Sequence, residues 1–249
     1  MAKLDKSQYT KSEWHVIREQ RRREKEINRE NSVLNEKVEP VVLNKTPLLE
    51  HKNTAFVLGN GTSRTPINPG DLKEFGKIYG CNALYRTFDP DYLVAVDTKM
   101  ILEINKSGYQ RKNEVWTNPN KAYQKMQGFN YFQPSKGWSS GPTALWLASQ
   151  HGYETIYILG FDYRGLNDGK KLNNIYADTV NYKKSTDGAT FFGNWLRQTK
   201  SVIKEHQKIQ YVRVIAPDNY QPEELNNFSN FTTITVENFQ RIFGFSASC

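Results

Sequence analysis

Cysteine is nearly missing from this chain: 249 residues hold two, Cys81 and Cys249. One pair cannot staple a small secreted scaffold, so a disulfide framework is excluded and a reducing compartment is expected. Long apolar runs are missing as well. The opening stretch, MAKLDKSQYTKSEW, lacks the apolar core of a signal peptide, and no run reaches the length of a membrane span. The expectation is a soluble protein of the cytoplasm with no membrane span. Histidine is scarce, and His15, His51, His151 and His206 have neither ligand spacing nor cysteine partners. A zinc site and a Ser-His-Asp arrangement are therefore set aside. Neither the GxGxxG fingerprint nor the Lys-bearing P-loop occurs.

Aromatic residues and positive charge are present in quantity. Phe, Trp and Tyr make up 13% of the chain, far from the composition of a disordered one. The formal charge is +8 and the isoelectric point about 9.3, which favours anionic partners such as nucleotides, nucleic acid, acidic glycans or an acidic protein surface. An ordinary basic surface is the plain alternative.

The chain divides in two. Residues 1–51 read as a charged helical arm and linker. Thr10 and Glu13 fit a capping box, and no Gly or Pro interrupts the stretch from Glu13 to Glu36. Its apolar residues are too sparse for a coiled-coil seam. The arm is expected to dock on a protein partner or on another copy of the chain. Arg18, Arg21, Arg22 and Arg23 would suit nucleic acid, but Glu19, Glu24, Glu26 and Glu30 lie among them and disfavour it.

From residue 52 onward short apolar strands alternate with helices. Thr54–Leu58, Lys77–Cys81, Tyr92–Val96, Glu114–Trp116, Tyr131–Phe132, Thr155–Leu159 and Tyr211–Ile215 read as strands. Asp71–Phe75, Met100–Asn105, Ser140–Gln150 and Thr190–His206 read as helices. Continuous apolar strands separated by helices predict an α/β domain with a Rossmann-like, mostly parallel sheet covered on both faces. The Gly/Asn/Asp-rich stretch from Asp162 to Gly188 is too long for a plain connector and reads as a functional loop or lid.

Ligands of open α/β sheets bind beyond the carboxyl ends of the strands, and polar clusters fall at those ends. GNGTS (Gly59, Asn60, Gly61, Thr62, Ser63) follows the first strand, where backbone N–H groups and hydroxyls can wrap a phosphate; a tight turn is the alternative. Asn82 follows the second strand. Asp97 follows the third, placed to hold a ribose hydroxyl or a metal-bound water, or merely to cap the next helix. SSGPT (Ser139 to Thr143) opens a helix with Pro142 in its first turn, leaving N–H groups for an anion. Asp162 follows the strongest strand, and Arg164 could grip a phosphate.

GNGTS, CNALY, SSGPTAL and ILGFDYR resemble, in the same order, blocks of the bacterial lipooligosaccharide sialyltransferases and of the related hydroxymethylpterin pyrophosphokinase-like proteins, over roughly Ala55 to His206. The resemblance also suggests a phage-encoded member, adding a virion-associated location to the cytoplasmic one. It implies that Gly59 to Ser63, Asn82, Ser140 and Gly141 hold the nucleotide of an activated sugar donor, with Asp97 nearby. It further implies that Arg164 and Tyr176 stand where that family supports the leaving phosphate with two tyrosines. One departure matters. The family's general base is a His in a segment that here reads Phe191-Phe192-Gly193-Asn194, and Asn194 cannot accept a proton at neutral pH. Asp162 or Asp187 could serve instead. The resulting expectations are a glycosyltransferase-like transferase acting on a nucleotide-sugar, a non-catalytic binding or virion-associated protein, or a pyrophosphokinase-like transferase with Mg²⁺ held by Asp97 and Asp162.

Overall fold

The computed structural model describes residues 53–215 and 220–245; the arm and linker of residues 1–51 lie outside the described residues. In chain order the elements are β1 (Thr54–Leu58), β2 (Lys77–Cys81), β3 (Tyr92–Val94), α1 (Thr98–Ser107), β4 (Val115–Thr117) and β5 (Phe129–Tyr131). They continue with α2 (Ser140–Gln150), β6 (Thr155–Leu159), α3 (Gly193–Glu205), β7 (Gln210–Ile215), β8 (Phe231–Thr235) and α4 (Val236–Phe243). The strands form one eight-stranded sheet of order β5-β4-β3-β2-β1-β6-β7-β8, with every pairing parallel. This is the α/β, Rossmann-like architecture.

Strands buried on both faces need apolar side chains at every position, which is why TAFVL and TIYIL are continuous runs. The two faces separate by alternation. Phe56, Leu58, Tyr157, Leu159, Val212 and Val214 pack beneath α1 and α4, joined by Ile101, Ile104, Phe239 and Phe243. Ala55, Val57, Ile156, Ile158 and Tyr211 face the other way, toward Ala144, Leu145 and Ala148 of α2 and Val202 and Ile203 of α3. Tyr157 stacks on Phe56 at 5.6 Å between ring centres, so part of the aromatic surplus goes to the core.

The chain travels outward from β1 to β5, returns to lay β6 beside β1, then travels outward the other way. The direction reverses between β1 and β6, and at such a switch point the loops diverge and leave a crevice at the carboxyl ends of the strands.

Two elements go beyond the sequence expectation. β8 is half-buried along its whole length, and its FTTIT sequence lacks the apolar signature of a central strand. α4 follows directly, with Thr235 accepting a bond from the Asn238 N–H as its N-cap. The short helix expected at Asp71–Phe75 is a 3₁₀ turn at Pro69–Leu72, begun by the Asn68 side chain. No helix among the described residues is long and apolar enough to cross a membrane.

Candidate functional site

β1 and β6 end side by side in glycine turns that interlock. The Gly59 N–H donates to Leu159 O at 2.8 Å and the Gly61 N–H to Gly160 O at 2.9 Å. A Cβ on Gly59 would stand 2.5 Å from Gly160 O, and one on Gly61 would stand 2.7 Å from it. Gly160 itself has φ of 70°, in the left-handed region. These glycines allow two backbones to touch.

Asp162 ties the turn together. Its carboxylate accepts from the Ser63 N–H at 3.1 Å, from the Ser63 hydroxyl, and from Asn173 Nδ2 at 3.0 Å. Asn173 in turn accepts the Thr62 N–H and hydroxyl, both at 2.9 Å, and also donates to Arg164 O. From below, the buried Arg213 donates to Phe161 O at 2.8 Å, and the buried Arg64 donates to Gly59 O at 2.6 Å. The loop's donors at Gly59, Gly61, Thr62 and Ser63 are thus bonded to the chain itself.

Above these turns opens a cavity of about 580 Å³, within the usual range for small-molecule sites. Gly59, Asn60, Gly61, Asn82, Asp97, Ser140, Gly141 and Asp162 all line it. Thr62 and Ser63 sit outside the lining set, bonded to Asn173 and Asp162. Arg164 and Tyr176 do not line the cavity either. Tyr163 takes a left-handed φ of 53°, and beyond that turn Arg164 pairs with Asp168 at 3.3 Å and lies over the Tyr220 ring. Tyr176 is buried, its hydroxyl 3.4 Å from Arg64 Nη2. Asn194 is exposed and outside the lining set, as is Asp187.

On one wall, Ser140 Oγ donates to Asn82 Oδ1 at 2.8 Å and accepts the Val96 N–H at 3.1 Å. Asn82 adopts φ of 52°, a left-handed conformation that Asn tolerates better than most residues. The Ser139 side chain makes no capping bond, so the first N–H groups of α2, at Ser140 and Gly141, begin the helix with no acceptor in the helix. Asp97 precedes α1 without capping it by its side chain. Partial desolvation raises the Asp97 carboxyl above its ordinary value. Burial pushes the Cys81 thiol up to about 12, which makes it inert as a nucleophile.

No family model, curated protein or solved structure matches this chain.

Residues to which the sequence reading gave no role in the site complete the cavity. Lys99, on the first turn of α1, and Lys183, on the long loop, are exposed residues that also line it. Phe161, Phe192 and Trp195 supply an aromatic wall, with the last two rings edge-to-face at 5.3 Å. Tyr182 reaches in from the loop and accepts from Asn60 Nδ2 at 3.2 Å and the Ala83 N–H at 3.3 Å. Lys99 falls two residues after Asp97, and the FFGNW run stands at a helix start; both were signals available in the sequence. A second cavity, of about 650 Å³, opens at the opposite ends of the strands around Lys77, Asp91 and Glu114. Its place is unlike that of ligand sites in such sheets.

Among the described residues no cluster of three or more His, Cys, Asp or Glu could hold a metal ion. Three of the roughly four acceptor positions of the Asp162 carboxylate are taken by Ser63 and Asn173, so a Mg²⁺ held between Asp97 and Asp162 would share Asp162 with the glycine turn.

Proposed function

We propose that the cleft at the β1/β6 switch point binds a nucleotide-activated donor, and that the protein is a glycosyltransferase-like transferase. The observation that carries this reading is the composition of the cavity. Ser140 and Gly141 at the start of α2, which no Ser139 side-chain bond caps, together with Lys99 and Lys183, line one hollow with an aromatic wall. The first set suits a phosphate and the second an apolar ring face. Asn82, Ser140 and Gly141 hold the nucleotide side. Asp97 supplies the proton-transfer group: it lines the cavity, its side chain does not cap α1, and desolvation raises its proton affinity above the ordinary value. Asp162, Arg164 and Tyr176 then act through the scaffold and not on the reacting atoms.

A thermal-shift panel of CMP, CTP, UDP, GDP and ATP, each with and without Mg²⁺, tests the reading. A ligand at a hundredfold excess over its Kd adds about 2.7 kcal/mol of stability, which is several degrees in a domain of this size. A flat panel refutes nucleotide binding. With a binding nucleotide in hand, Asp97→Asn should keep affinity and cut donor turnover by about 10²-fold or more. Binding without turnover in the unmodified protein would favour the non-catalytic alternative.

A further inference from the structure

The outer wall of the cleft is a stretch of loop; besides the bonds of the Tyr182 hydroxyl to Asn60 and Ala83, an ion pair that belongs to neither the loop nor the ligand set holds it. Arg86, at the end of the turn after β2, and Glu103, on α1, meet in a two-pronged contact: Nε to Oε1 at 2.7 Å and Nη2 to Oε2 at 2.6 Å. Each keeps about a fifth of its side-chain surface exposed. Both partners then reach the loop. Arg86 donates to Thr179 Oγ1 at 2.9 Å and to Val180 O at 2.8 Å, and it lies over the Tyr182 ring. Glu103 accepts from Asn181 Nδ2 at 2.6 Å and is fixed from behind by the Tyr85 hydroxyl at 2.6 Å.

The loop segment is closed on itself, with the Asp178 N–H bonded to Lys183 O and the Ser185 N–H to Asp178 Oδ1, both at 3.0 Å. It therefore moves or stays as a unit. Its apolar anchor is Tyr182, packed against the core and 5.6 Å from the Tyr176 ring, while Val180 at the tip is 72% exposed. The three residues it carries into the cavity are Asn181, Tyr182 and Lys183.

We propose that Arg86 and Glu103 are positioning residues, a latch that sets where Asn181, Tyr182 and Lys183 stand and so governs access to the cleft. The hydrogen bonds of the guanidinium and carboxylate reach the cavity lining only through this loop segment. A charged hydrogen-bonded pair is suited to the task because it holds several donors and acceptors in one plane yet releases them together. The consequence for ligand affinity rests on the nucleotide reading above; the consequence for the loop does not.

The test is hydrogen exchange of the full chain, comparing amides of residues 178–185 with those of β1. Glu103→Gln removes the charge and keeps the shape. Thr179→Ala removes a contact on the loop side and leaves the pair intact. Exchange of 178–185 should rise about tenfold in Glu103→Gln, and by less in Thr179→Ala, with β1 unchanged. Arg86→Lys, which keeps the charge and loses the fork, should fall between Glu103→Gln and the unmodified protein. For any nucleotide that the unmodified protein binds, Glu103→Gln should weaken affinity about tenfold. Unchanged exchange at 178–185 in Glu103→Gln overturns the latch. Raised exchange with unchanged affinity for a bound nucleotide overturns its role in access. Raised exchange in a protein that binds no nucleotide refutes the proposed ligand and leaves the latch standing.

Discussion

Replacing Asp162 by Ala separates a structural carboxylate from a chemical one. The substitution removes the acceptor of the Ser63 N–H, the Ser63 hydroxyl and one Asn173 N–H. Ser63 is 8% exposed, so water cannot easily replace the lost partner there, whereas Asp162 itself is only half-buried. Hydrogen bonds to a charged group are worth about 1.5–3 kcal/mol each, and three in one network do not add fully. Solvent reaching the Asp162 side lowers the total further, so the expected loss is about 3 kcal/mol. In a domain of this size each kcal/mol moves Tm by about 2–4 °C, giving a drop of about 6–12 °C. Asp162→Asn should lie between, since its amide keeps one acceptor but turns an NH₂ toward donors. Urea unfolding followed by circular dichroism, with Tm as a second measure, provides the assay. If Asp162→Ala unfolds within about 0.5 kcal/mol of the unmodified protein, the carboxylate is not the keystone of the glycine turn. It would then be free for the general-base role that the sequence suggested.

Gly61→Val places a branched side chain against the Asp162 carboxyl and Gly160 O; urea unfolding should show a loss of about 1–3 kcal/mol, so weaker ligand binding in that variant would reflect a damaged turn. Asn194→His should leave transfer from CMP-sialic acid flat, because residue 194 is exposed and outside the cavity lining; a rise in donor turnover would mean that α3 shifts on binding. Partial desolvation raises the Glu103 carboxyl, but bonds from Arg86, Tyr85 and Asn181 outweigh it and hold the group down to about 2. A carboxyl lowered on folding stabilises above its unfolded value near 4.5 and loses that contribution as pH falls toward 2. Screening trims the effect to about 1–2 kcal/mol, and the fall should be absent from the acid titration of Glu103→Gln.

The central sheet was legible because its strands have no polar face. β1 and β6 are uninterrupted apolar runs that end in glycine, and α2 falls on the residues that its serine start and apolar face indicate. β8 was not legible: an edge strand exposes part of its surface, so Thr232, Thr233 and Thr235 replace the expected aliphatics. In the site, position along the strands was enough to bring Asn82, Asp97, Ser140 and Asp162 to one cavity. Their hydrogen bonds were not readable. The donors of Thr62 and Ser63 look available for phosphate until Asn173 and Asp162, about 100 residues later in the chain, are seen to take them. Arg164 follows Tyr163, whose left-handed φ no side-chain pattern announces, and it lies outside the cavity lining, paired with Asp168.

The pairing of β1 with β6 joins Thr54 to Thr155 and Leu58 to Leu159. Every residue of β2 to β5 lies in the interval between those partners, so the loop that must close to form this seam is the longest step in assembling the sheet. During synthesis β1 can recruit β2 and β3 long before β6 emerges, and until then its other edge stays open. The cleft is built along that edge. Binding competence therefore arrives only when the second half of the chain has docked, and a product halted before Leu159 would carry GNGTS, Asn82 and Asp97 with no pocket around them. A ligand that fits the finished cleft reports on completed folding, and it would favour the closed seam over the open edge by mass action.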